Sequence, residues 1–121
     1  MAFQRPARRQ AAYFLLTGPA AFVSRRAFEA VTGPKREWWL VETVGLLVAA
    51  IGAGLAAGAA RDRVTPELAL IGAGAAAALG GIDVVYVARG RIRPTYLADA
   101  AVEAALLAGW GSAWRAARAG K

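Results

Sequence analysis

Residues 38–60 form a run in which Glu42 is the one charged side chain, and residues 68–88 form a second run broken only by Asp83. Each is about as long as the roughly 20 residues an α-helix needs to cross a hydrocarbon core of about 30 Å. Backbone in lipid must satisfy its own hydrogen-bonding groups, so apolar runs of this length read as helices. Composition agrees with that reading. Of 121 residues, 58% are hydrophobic, and the mean hydropathy is +0.40. Charges gather at 5–9, 25–37, 61–67, 89–93 and 115–121, between the apolar blocks.

Two further segments complete the pattern. Residues 10–24 are uncharged, but 15 residues of helix rise only about 22 Å. Spanning would rely on Arg8, Arg9, Arg25 and Arg26 snorkelling toward headgroups. Gly18-Pro19 marks a kink, and a re-entrant or surface helix is the competing reading of this segment. Its basic head and short apolar run read as an uncleaved first span, because no small-x-small cleavage site precedes a polar region. Residues 95–114 follow Pro94 and hold Asp99 and Glu103. The expected fold is therefore all-α. It is a single polytopic membrane bundle of four transmembrane helices at about 10–24, 38–60, 68–88 and 95–114, with short loops and antiparallel neighbours.

Local signals mark the ends of these helices. Thr65 before Pro66 and Glu67 is an N-cap followed by a first-turn proline. Trp38, Trp39, Tyr96, Trp110 and Trp114 sit where interfacial aromatics belong. Gly54-x-x-x-Gly58 reads as a surface of close helix contact.

The net charge of +7 would suggest nucleic acid in a soluble protein. Here the basic residues flank apolar segments, which points to the lipid bilayer as partner and away from nucleic acid. The chain has no cysteine and no histidine, which removes thiol chemistry, Cys/His zinc sites and histidine acid–base work. The glycines make no phosphate-binding loop. Asp83 in Gly80-Gly81-Ile82-Asp83 does not match the G-x-G-D setting of intramembrane aspartyl proteases. No enzyme activity, cofactor or metal site is expected.

What remains is a set of acids in apolar helices. On a helical wheel of 38–60, Gly45, Ala49, Ala53, Ala56 and Ala60 share a side with Glu42, and Val44, Val48, Ile51 and Leu55 lie opposite. The small side suits helix contact, so Glu42 is expected to point inward. Asp83 shares a side with Gly72, Ala76, Leu79 and Tyr86, and Gly80-Gly81 is expected to loosen the helix there. Asp99 and Glu103 are spaced i,i+4 and share a face with Tyr96 and Trp110. With alternating helix directions, Glu42, Asp83 and Asp99 lie toward one membrane side, and Glu103 about 6 Å deeper. The candidate pocket is thus Glu42, Asp83, Asp99 and Glu103 with Tyr86 and Tyr96. Its rim is Arg25, Arg26, Lys35, Arg36, Arg89, Arg91 and Arg93, suited to lipid headgroups. An Asp at a helix centre costs about 2.5–3.5 kcal/mol on insertion, against a gain of about 0.3–0.6 kcal/mol from a Leu or Val. Such acids need a basic partner, a cation, trapped water or a proton, and repulsion between Asp99 and Glu103 favours protonation of one of them. Pairing with rim arginines would make them packing struts, whereas binding a proton or cation would make them a site.

The stretch Phe28-Glu29-Ala30-Val31-Thr32-Gly33-Pro34-Lys35, then Trp39-Leu40-Val41 and Thr43-Val44-Gly45, resembles small four-helix bacterial integral membrane proteins. So does Asp83-Val84-Val85-Tyr86-Val87 with Ile92 and Tyr96-Leu97-Ala98-Asp99. The resemblance covers most of the chain. It implies a bacterial inner-membrane protein with four helices and brings no activity with it. In Thr32-Gly33-Pro34-Lys35, Gly-Pro sets a turn, and Lys35 is placed to reach Glu42 or a lipid phosphate.

Two functions fit these features. One is a structural or accessory protein that packs against itself or a membrane-protein partner. The other is a small oligomeric proton- or cation-coupled transporter. Small multidrug exporters also have four spans, but their key glutamate lies in the first helix, and segment 10–24 has no acid. Orientation stays open, because eight Lys/Arg on one side face seven on the other.

Overall fold

The computed structural model describes residues 3–119. The chain is all-helical in order: α1 (Gln4–Thr17), a single turn α2 (Ala20–Val23), α3 (Arg25–Thr32), α4 (Trp38–Ala60), α5 (Pro66–Ala88) and α6 (Tyr96–Ala119). Two of them, α4 and α5, are long and apolar enough to cross a membrane. Only 17% and 22% of their most apolar stretches are buried. The core helix of a soluble domain would be mostly covered, and these two are not. Their exposed side chains include Trp39, Leu46, Leu47, Leu70, Ile71 and Ile82.

The other two expected spans differ from that pattern. The 10–24 segment is not one helix. α1 starts at Gln4, so Arg5, Arg8 and Arg9 lie within it, and it stops at Thr17. The Gly18 amide closes its last turn on the Phe14 carbonyl at 2.8 Å. Pro19 has no N–H to continue the ladder, and the single turn α2 follows. Fourteen residues rise about 21 Å, short of a bilayer core. α6 has the length, but Asp99, Glu103, Arg115 and Arg118 leave it too polar to meet the same criterion. The 25–37 connection contains α3, capped by Ser24, whose Oγ accepts from the Ala27 amide at 3.1 Å.

Two antiparallel pairs build the bundle, α1 on α4 and α5 on α6. Gly18 meets Gly45 at one end of the first pair, and the Gln4 amide donates to the Ala59 carbonyl at the other. In the second pair Gly80 lies against Glu103 and Gly72 against Trp110. α1 also contacts α6, and its buried Ala7, Gln10, Ala11 and Phe14 recur at helical spacing. The inward face of α4 differs from the wheel reading. Gly45, Gly52, Leu55 and Ala59 are buried, Val48 and Ile51 are half-buried, and Ala53 and Ala60 are exposed. α1 comes close at Gly45 and Gly52, and Val48, Ile51 and Leu55 fill the face between and beyond them together with Ala59. A Cβ at Gly54 would meet no neighbouring element within 4 Å, while one at Gly58 would meet Leu68 and the Arg63 carbonyl. The 54–58 glycine pair is therefore not one contact surface.

Thr65 caps α5, its Oγ1 accepting from the Leu68 amide at 3.1 Å, with Pro66 at the first helical position. Thr65→Ala is expected to cost about 1 kcal/mol of stability in chemical or thermal unfolding. Thr65→Ser should cost little, because it keeps the accepting oxygen.

Candidate functional site

At the end of the bundle that carries α3, a cavity of about 570 Å³ opens between α1, α3, α4, α5 and α6. Asp83 of α5 and Asp99 and Glu103 of α6 line it, with Tyr96 at the start of α6. α1 contributes Tyr13, and α3 contributes Phe28 and Val31. The antiparallel pairing of α5 and α6 is what brings the three acids together from positions 16 to 20 residues apart.

Each acid has a distinct setting. Asp99 Oδ1 accepts a short hydrogen bond from the Tyr13 hydroxyl. Glu103 is 2% exposed and Asp83 6%. Glu103 Oε1 and Asp83 Oδ2 are buried with no hydrogen-bond partner among the described residues. Glu103 can sit this deep because Gly80 faces it. A Cβ at Gly80 would lie 3.0 Å from Glu103 Cβ. The Gly80-Gly81 pair does not loosen α5, which runs unbroken to Ala88. Among the described residues, no three acidic side chains stand close enough to hold a metal ion.

The cavity gathers Asp83, Asp99, Glu103 and Tyr96 from the set expected on sequence. It leaves out Glu42 and Tyr86. Glu42 is half-buried on the flank of the α4 contact face, away from the cavity lining. The buried face is centred on Gly45, Gly52 and Leu55, about a quarter-turn from Glu42 at 100° per residue. Tyr86 is half-buried and stacks beneath the Arg89 guanidinium, 5.6 Å from its ring centre.

The basic rim is present in space but does not reach the acids. Arg25 pairs with Glu29 at 3.4 Å, the one ion pair among the described residues. It also donates to the Lys35 carbonyl and lies 4.7 Å over the Trp38 ring. Arg93 donates to the Ala30 carbonyl at 3.1 Å, and the Thr95 hydroxyl to the Val31 carbonyl at 2.7 Å. Lys35 does not reach Glu42. Its ammonium donates to the Thr32 and Gly33 carbonyls at 2.7 and 2.9 Å and sits 5.3 Å from the Tyr96 ring centre. These cations cap the C-terminus of α3, where orphan carbonyls and the negative end of the helix dipole attract them. Gly33 ends α3 with φ +95°, and Arg93 packs where its Cβ would be. α3 is thereby fastened to the α5–α6 loop as a roof over the cavity. Arg26, Arg36 and Arg91 are exposed.

Sequence reasoning missed Tyr13 and the α3 roof. Tyr13 carries a hydroxyl on the inward side of α1, one turn beyond Gln10. Read as a helix starting at Gln4, the segment would have placed it there. No protein-family model, curated protein or solved structure matches this chain, so the chemistry of the cavity is argued from its own residues.

Proposed function

We propose that this is a multi-pass protein of a bacterial inner membrane whose cavity carboxylates are a working proton or cation site. On this reading α4 and α5 span, and α1 and α6 complete a four-helix bundle. α6 tolerates lipid because its acids turn toward the cavity. The observation that carries the reading is the pair of buried oxygens, Asp83 Oδ2 and Glu103 Oε1, unpartnered among the described residues, beside a cavity that no described lysine or arginine lines. Ionised carboxylates in a low-dielectric interior are costly unless paired, so these groups hold protons or receive a cation. Packing struts would have recruited one of the seven rim cations. Those cations are solvent-facing, stacked on aromatic rings or bound to α3 and its neighbouring carbonyls instead. In its fullest form the reading describes a small oligomeric transporter that exchanges protons for cations.

One observation favours the structural alternative, an accessory protein that packs against itself or a partner. Asp99 accepts from Tyr13 across the α1–α6 contact and so contributes to packing.

Thermal unfolding against pH and added cations separates the two. Glu103→Gln is expected to melt several degrees above wild type, a gain of about 1–2 kcal/mol typical of relieved functional strain. It should also lose a proton or cation response that wild type shows. Glu42→Gln, outside the cavity, should change neither. If Glu103→Gln melts lower and wild type responds to nothing, the acids are struts.

A further inference from the structure

We infer that the cavity binds an organic cation with an aromatic or branched apolar body, seated with its charge against Asp83 and Glu103. This rests on the working site proposed above and adds the class of its ligand.

Size is the first ground. A volume of about 570 Å³ falls within the range of small-molecule pockets, about 300–1,000 Å³. A proton needs no cavity, and a single water takes about 30 Å³. Charge is the second. Among the described residues, the two deepest acids each keep an oxygen without a partner and no basic side chain lines the walls. Asp99 gives only one oxygen to Tyr13 and is the least buried of the three, so an incoming charge meets Asp99 with Asp83 and Glu103 directly behind it. A bare metal ion is poorly served, because no three acids converge on one point among the described residues. The walls are the third ground. Tyr13, Phe28 and Tyr96 offer aromatic surfaces, and Val48 and Leu79 offer aliphatic ones. Aromatic faces attract cations, as the Tyr96 ring already does with Lys35. A hydrated inorganic ion would leave these walls unmatched. A neutral apolar molecule would leave the carboxyl oxygens unmatched. An organic cation satisfies both.

Equilibrium dialysis of the purified full chain in detergent, with empty micelles as the blank, tests the assignment. The probes are benzyltriethylammonium and its neutral carbon isostere. Saturable binding of the cation to wild type is expected, at least about tenfold tighter than the isostere, a difference that double-sided charge pairing readily supplies. That preference should vanish in Glu103→Gln and persist in Glu103→Asp. Leu79→Trp, which fills the cavity and leaves the acids in place, should weaken binding about tenfold. Equal uptake of cation and isostere, or unchanged binding in Glu103→Gln, overturns the inference as mere partition into apolar surface. If wild type ignores the probe yet Glu103→Gln abolishes a proton or inorganic-cation response in melting, the ligand class is wrong and the working site stands. If both responses are absent, both readings fall.

Discussion

Gly45→Ala is expected to destabilise the protein by about 1–3 kcal/mol, the usual cost of overpacking a close contact, while Gly54→Ala leaves it unchanged or more stable. Both substitutions add one methyl group to α4. Replacing glycine by alanine in a helix interior is worth up to about 1 kcal/mol in favour of the helix, so propensity alone predicts the same gain at both positions. Surroundings reverse the sign at one of them. A Cβ on Gly45 would be driven into the Gly18 carbonyl oxygen, and a Cβ on Gly18 would come within 2.8 Å of the Gly45 carbonyl and the Ala49 amide. Those neighbours are backbone, so no rotamer change relieves the clash. α1 would have to lift from α4, opening the packing of Phe14 against Gly52 one turn farther along. A Cβ on Gly54 would meet no neighbouring element within 4 Å. Melting both variants in the same detergent gives opposite shifts if α1 seats on α4 through its glycines. Shifts of the same sign would show that this seat is not part of the folded protein.

The same pair of glycines shows what sequence could and could not convey. The long elements were legible, because runs with a single charge each over 38–60 and 68–88 mark both helices to within two residues of their observed ends. Thr65-Pro66 was equally readable, since capping needs only neighbours along the chain. The facing side of α4 was not. A small-residue stripe suits either helix contact or a lipid-facing surface, and which glycine receives α1 depends on where Gly18 arrives. Arg5, Arg8 and Arg9 hid the true start of α1, because a basic first turn reads as a flank of an apolar segment rather than as its interior. Trp110 looked like an interfacial anchor from its place near the end of α6, yet it is 3% exposed. Its partner, Gln10, lies 100 residues away in sequence. The candidate site was legible as far as charge in apolar helices could carry it, which found Asp83, Asp99 and Glu103. Assigning Glu42 to the pocket failed because a wheel gives angles within one helix and not the position of the next.

Gln10→Leu is expected to cost about 2–3 kcal/mol, most of it from leaving a buried indole N–H without an acceptor. Gln10 is fully buried between three helices. Its Nε2 donates to the Gly72 carbonyl of α5 at 2.8 Å, and its Oε1 accepts from Trp110 Nε1 of α6 at 2.6 Å. Leucine keeps the volume and removes both bonds. The Gly72 carbonyl sits inside α5 and retains helical partners, whereas the Trp110 N–H can donate only once and, in a side chain 3% exposed, loses its one acceptor. A double-mutant cycle isolates that term. Trp110→Phe alone loses ring volume beside Gly72 and the Phe3 contact. In the Trp110→Phe background Gln10→Leu should cost less than about 1 kcal/mol, because the orphaned donor is gone, giving a coupling of at least about 1 kcal/mol. Additive costs would mean that Gln10 and Trp110 do not pair in the folded protein. The consequence reaches the cavity. Gln10 and Tyr13 lie one turn apart on the same side of α1, so the bond that locks Gln10 to α5 and α6 also fixes the height at which Tyr13 meets Asp99. Gln10→Leu should therefore weaken cation binding as well as stability, whereas Thr65→Ala at the far end of α5 should lower stability alone.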